Sequence, residues 1–121
     1  EAGPRVRRLL RRAAPESPRM TAKLAPALLP GLLSQLPRWS LDADAAAISR
    51  RLEFADFNEA FAFMARIALM AERRNHHPDW SNAYNVVDVT LSTHDAHGLT
   101  MKDIEMARFI DRIAAGTGAS A

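Results

Sequence analysis

Cysteine is missing from all 121 residues, so the chain can form neither a disulfide nor a thiolate metal site. That absence fits a reducing compartment and a cytoplasmic location. No uninterrupted run of about 18 apolar residues occurs, which leaves no candidate for a membrane-spanning helix. A basic domain is missing too, although the pI of 9.7 suggests one. Residues 1–20 carry six arginines against Glu1 and Glu16, a net of +4, whereas the remaining ten basic and twelve acidic side chains give −2. Basicity therefore belongs to a short tail, and phosphate attraction by that tail is weak ground for a nucleic-acid partner. What is present, 48% hydrophobic and 25% charged residues, is the composition of one ordinary globular domain.

The tail, EAGPRVRRLLRRAAPESPR, lacks the complete secretory pattern of basic region, apolar core and cleavage site. Three readings stand for it: a disordered anion-binding arm, an arginine-rich targeting segment, or sequence outside the natural protein. The expected organisation is a basic disordered extension over 1–19, a folded domain over 20–116, and a flexible small-residue tail over 117–121.

Leu24, Leu28, Leu32 and Leu36 recur every fourth residue and predict one face of a short helix between Pro26 and Pro37. Ile48, Arg50, Leu52 and Phe54 alternate with Ser49, Arg51 and Glu53, the pattern of a strand that carries a long-stemmed arginine on its apolar side. Asp56 and Glu59 have capping-box spacing ahead of a helix whose expected apolar stripe is Phe61, Met64, Ala65 and Ala68, ending on Glu72. Beyond Pro78, which breaks any continuing helix, Val87, Val89, Leu91 and Thr93 line one side of a strand and His94 lies on the other. A second strand is possible around Trp80. DAHG predicts a turn with Gly98 left-handed. Thr100 and Asp103 cap a last helix with Ile104, Ala107, Ile110 and Ala114 inward, ended by Gly116 and Gly118. This order predicts an α+β layer, helices covering one face of an antiparallel sheet.

All four histidines fall within ERRNHHPDWSNAYNVVDVTLSTHDAHG, Glu72 to Gly98. A zinc site needs three or four convergent donors, and adjacent rings such as His76 and His77 are hard to aim at one ion; HExxH is absent as well. His97, inside the turn, reads as a local hydrogen-bonder. His76, His77 and His94, beside Glu72 and Trp80, instead suit acid–base chemistry on an uncharged aromatic-like ligand, since imidazole titrates near neutrality.

The motifs EXXXHHPXW, YNXV and LSTHXXXGLTXXD, in this order and separation, resemble the pterin-4a-carbinolamine dehydratase family over Trp39 to Ala115. The resemblance implies a hydro-lyase that converts a 4a-hydroxytetrahydropterin to quinonoid dihydropterin without metal or redox cofactor, serving tetrahydrobiopterin recycling. It implies an α+β fold with an antiparallel four-stranded sheet and helices packed on one face, and self-association into dimers or tetramers. The matching catalytic positions are His76, His77 and His94 with Glu72 and Asp103, and the matching pterin contacts are Trp39, Pro78, Thr93, Asp95 and Ala96. Within that set His76 and His94 are the expected acid–base pair, with His77 positioning the ligand, Glu72 orienting His76, and Asp103 supporting His94. Trp39 stacks on the pterin or walls its pocket, and Lys102 stands where relatives often carry a basic residue. A different class of function stays open beside this one: some relatives bind a transcription-factor dimerisation domain, so the same scaffold can serve as a protein-interaction partner.

Overall fold

The computed structural model describes residues 17–120. The imperfect alternation of Ile48, Arg50 and Leu52 with Ser49, Arg51 and Glu53 does produce a strand, β2 (Ile48–Glu53), whose first set is buried. Its antiparallel partner is β4 (Val86–Leu91), with Val87, Val89 and Leu91 buried on the same face. β1 (Ser40–Leu41) flanks β2 and β3 (Asp79–Ala83) flanks β4, giving an open four-stranded sheet of order β1-β2-β4-β3 with every pair antiparallel. Two long helices, α3 (Phe57–Arg74) and α4 (Met101–Ala115), pack on the apolar face. The opposite face is polar: Arg51 pairs with Asp88 at 3.1 Å and Ser49 with Thr90 at 2.9 Å, each directly across the β2–β4 ladder. Two short helices, α1 (Pro18–Thr21) and α2 (Leu29–Leu33), precede the sheet, α2 after a 3₁₀ turn at Pro26–Leu28. Among the described residues no helix is long and apolar enough to cross a membrane.

The stretch around Trp80 to Leu91 folds as a hairpin closed by the two residues Tyr84 and Asn85, Tyr84 adopting φ 52°. The expected strand therefore stops at Leu91. Thr93 makes an isolated antiparallel bridge to Gly98, and His94 enters a 3₁₀ turn, His94–Ala96.

Several expected packings are corrected. On α3 the core face is Ala60, Phe63, Ile67 and Ala71, while Phe61 is 59% exposed and Ala65 and Ala68 also face outward; of the expected stripe only Met64 is half-buried. Both sides of this helix are apolar, so periodicity alone does not choose between them. The phase is set by tertiary contact, including the Phe54–Phe63 ring pair at 4.9 Å. Leu28 is likewise exposed and Leu29 is buried in its place, while Leu36 is buried as expected. The 3₁₀ turn advances three residues per turn rather than 3.6 and shifts the face.

Gly98 is not left-handed; His97 is, at φ 56°. Glycine at 98 answers a close approach, because an added Cβ would lie 2.9 Å from Lys23 Cε. The Lys23–Leu24 segment straps across this turn, and Leu24 N–H donates to the Leu99 carbonyl at 2.8 Å.

Asp56 does cap α3 by accepting from Glu59 N–H, but Glu59 returns its contact to Ala55 N–H, one residue before the cap. The basic extension lies outside the described residues up to position 16, and its end, Pro18 onward, forms α1 against α4. The segment expected as a loose tail is tied to β2, since Ser120 and Glu53 exchange two backbone hydrogen bonds of 2.9 Å.

The assigned phase of α3 separates two phenylalanines two residues apart. Phe63→Ala is expected to cost about 3–5 kcal/mol of stability, whereas Phe61→Ala stays within about 0.5 kcal/mol in dilute protein. Urea unfolding of both variants checks this; equal losses would place both rings in the core.

Candidate active site

The site begins with how α3 ends. Asn75 takes the left-handed conformation, φ 49°. Its N–H donates to the Glu72 carbonyl at 3.3 Å, and the next N–H, of His76, donates to the Ala71 carbonyl at 3.1 Å. This double bond pattern closes a helix C-terminus and turns the chain sharply. His76 is thereby fixed at its backbone to the last turn of α3, and its buried ring meets the first turn of α4. Pro78 then keeps His77 extended, and Asp79 opens β3.

The first turn of α4 is closed by a full capping box. Thr100 Oγ1 accepts from Lys102 N–H at 3.2 Å, and Asp103 Oδ2 accepts from Thr100 N–H at 3.0 Å. The same Oδ2 accepts the Thr93 hydroxyl at 2.7 Å, and the Thr93 and Thr100 hydroxyls are 2.7 Å apart. Thr93 has one hydrogen and directs it to Asp103, so the hydrogen between the two threonines is that of Thr100. Asp103 is 0% exposed, and its Oδ1 lies 2.6 Å from His76 Nε2. With two donors on Oδ2 the carboxylate is an acceptor throughout, and His76 Nε2 carries the proton. Nδ1 is left as the acceptor nitrogen. It makes no hydrogen bond among the described residues and is not sealed from solvent.

The other two imidazoles are exposed. His77 Nε2 lies 2.6 Å from Glu72 Oε1, and His94 Nε2 lies 3.6 Å from Asp79 Oδ2. The expected pairings are therefore exchanged: Glu72 contacts His77 rather than His76, and Asp103 holds His76 rather than His94. Spacing of four made Glu72 and His76 neighbours only if the helix continued; the left-handed Asn75 ends it and turns His76 away.

Asp79 was not among the expected site residues. Its only sequence signal is its place in HHPDW; what puts it beside His94 is the hairpin register, Asp79 opposite Thr90, four residues before His94.

Segments 72–79 and 93–103 are thus joined at three points, His76–Asp103, His94–Asp79, and Lys102 Nζ to the Asn75 carbonyl at 3.3 Å. Thr93 sits inside this junction, and Pro78, Asp95 and Ala96 flank it, with Asp95 exposed. Trp39 is not brought to it by its polar edge. Its indole N–H donates to Asp111 at 2.8 Å, eight residues past Asp103 on α4, about 12 Å at 1.5 Å per residue. No group of three or more His, Asp or Glu among the described residues is arranged to hold a metal ion. Three imidazoles, each with its own carboxylate, equip the junction for proton transfer.

Comparison with known proteins points to one family. Residues 22–113 match the model for pterin 4 alpha carbinolamine dehydratase. A protein of Burkholderia orbicola (strain MC0-3), provisionally named pterin-4-alpha-carbinolamine dehydratase, is 64% identical over 83 residues, 69% of this chain and 81% of that one. One of Burkholderia vietnamiensis (strain G4 / LMG 22486), named likewise, is 61% identical over 85 residues, 70% of this chain and 83% of that one. The crystal structure of a transcriptional coactivator/pterin dehydratase from Brucella melitensis superposes with a TM-score of 0.73 at 47% identity, covering 76% of this chain and 98% of that one. A pterin dehydratase-like RuBisCO assembly factor of the alpha-carboxysome, 21% identical with a TM-score of 0.56 over 63% of this chain and 88% of its own, shares the fold alone.

The hydrogen-bond directions make a spectroscopic prediction. In its neutral form, His76 is expected as the Nε2–H tautomer in long-range ¹H–¹⁵N spectra. Thr93→Val, which removes one donor from a buried carboxylate, is expected to lower stability by about 1–3 kcal/mol. An Nδ1–H tautomer in the wild type would reverse the assigned chain of donors.

Proposed function

The chain belongs to the pterin 4-alpha-carbinolamine dehydratase family, and from that premise we propose that it dehydrates a 4a-hydroxytetrahydropterin to quinonoid dihydropterin and water by histidine acid–base catalysis. The observation that carries the reading is the His76 ring, locked through Nε2 to buried Asp103 with its acceptor nitrogen, Nδ1, left accessible. The reaction needs a base for the N5 proton and an acid for the departing C4a hydroxyl, both near neutral pH.

His76 Nδ1 takes the N5 proton, and the imidazolium so formed is stabilised by the Asp103 carboxylate already hydrogen-bonded to Nε2. The N5 electron pair forms the C4a–N5 double bond as the C4a–O bond breaks. His94 donates the proton that lets the hydroxyl leave as water. His94 is left neutral and His76 charged, so one proton returned through solvent from His76 to His94 restores the starting state. His77, held by Glu72, positions the ring, and the backbone from Thr93 to Ala96 with Pro78 supplies its polar and apolar edges. Self-association belongs to the same reading and is supported by the outward stripe of Phe57, Phe61 and Leu69 on α3.

Purified protein is expected to accelerate the absorbance decay of a 4a-hydroxytetrahydropterin equally with and without chelator. Absence of acceleration in both conditions would defeat the dehydratase reading, and loss with chelator alone would install a metal. His94→Ala is expected to lower turnover about 10²- to 10⁴-fold with an unchanged unfolding midpoint, because its side chain is 81% exposed. His97→Ala should leave turnover near wild type; comparable losses in both variants would remove His94 from the proton transfer.

A further inference from the structure

The turn that presents His94 is anchored at its two ends and bare in between. At the first end Thr93 is fixed by Asp103, and beyond the last end Leu99 and Thr100 are buried. Within the turn every bond is short-range. Ala96 N–H donates to the Thr93 carbonyl at 3.1 Å and His97 N–H to the His94 carbonyl at 3.0 Å, while Thr93 and Gly98 exchange backbone bonds of 2.9 and 3.4 Å. His94 and Asp95 are exposed, and among the described residues the His94 ring reaches another element only through Asp79 at 3.6 Å. Gly98 closes the turn with no side chain of its own, and glycine has the most backbone freedom to lose. The space that a side chain would fill is taken by another segment: from the position of an added Cβ, Lys23 Cε, Cδ and Cγ lie at 2.9, 3.6 and 3.7 Å. One residue further, Leu24 N–H donates to the Leu99 carbonyl at 2.8 Å.

We propose that Lys23 is a positioning residue for His94. Its methylene stem, seated on Gly98 and pinned by the Leu24–Leu99 hydrogen bond, sets the angle of the turn and with it the place of the imidazole. The proposal rests on the dehydratase reading, in which His94 supplies the proton to the departing hydroxyl. The exposed contact with Asp79 is a weak restraint, so the backbone of the turn has to set where the ring stands. Lysine suits the strap because its stem can cover apolar surface while its ammonium stays in water, and Lys23 is exposed. Two consequences separate this role from general packing. The contact is made by methylenes rather than by charge, so an unbranched apolar side chain replaces it. It acts through His94, so it loses its effect on turnover when that imidazole is absent.

Lys23→Ala is expected to lower kcat at least about fivefold with an unchanged unfolding midpoint, since a displacement of about 1 Å can cost about 10²-fold. Lys23→Met keeps an unbranched stem without the charge and is expected to return kcat to near wild type. In the His94→Ala background, Lys23→Ala should cause no further loss, because residues that act as one unit are not additive. Backbone ¹⁵N order parameters of Asp95 and Ala96, measured without pterin, should fall in Lys23→Ala and hold in Lys23→Met. Wild-type kcat in Lys23→Ala, no rescue by methionine, or a loss that persists in full without His94 would each overturn the proposal. A wild type without dehydratase turnover would defeat the dehydratase reading and the catalytic role of Lys23 with it. The order parameters still judge the strap in that case, and unchanged values in Lys23→Ala would overturn it independently.

Discussion

The carboxylate of Asp103 holds the structure and the candidate site in one place. It is sealed from solvent, and three donors converge on it from three elements: His76 just past α3, Thr93 just past β4, and the Thr100 N–H at the start of α4. The charge is tolerable there because every oxygen is occupied and the N-terminal dipole of α4 favours it. Its capping role fixes where α4 begins, and its contact with Thr93 fixes where the sheet stops relative to that helix. Its contact with His76 then fixes the orientation of that ring. Fold and chemistry are not separable at this residue, since the interaction that starts the helix is the one that orients the imidazole.

The remaining imidazoles work under different constraints. His77 and His94 stay in solvent beside Glu72 and Asp79, where an ion pair contributes little to stability. Neither ring is enclosed as that of His76 is. One enclosed ring and two exposed ones give the junction a single imidazole fixed from within the fold and two that solvent reaches.

Much of this was legible because it is local. Thr100 and Asp103 announce a capping box three residues apart, and Ile48 to Phe54 alternate clearly enough to place even Arg50 inside. Family motifs then named the histidines. What could not be read is every pairing across chain. Glu72 and His76 look like partners on a helix, and only the backbone conformation of Asn75 separates them. Asp79 becomes a neighbour of His94 only through a hairpin register that sequence spacing does not encode. The phase of α3 failed for another reason: Phe61 and Phe63 are chemically identical, and the choice between them is made by packing that includes Phe54, just past β2.

The hairpin itself carries a consequence for the exposed His94–Asp79 contact, which is too weak to hold its own geometry. Side chains alternate along a strand, so a slip of β3 by one residue against β4 would expel Trp80 from the side it shares with Val89 and carry Asp79 to the opposite face. The half-buried indole makes that slip costly. Trp80 thus serves as a ruler, with the hydrophobic interior measuring out the position of a carboxylate that it never touches.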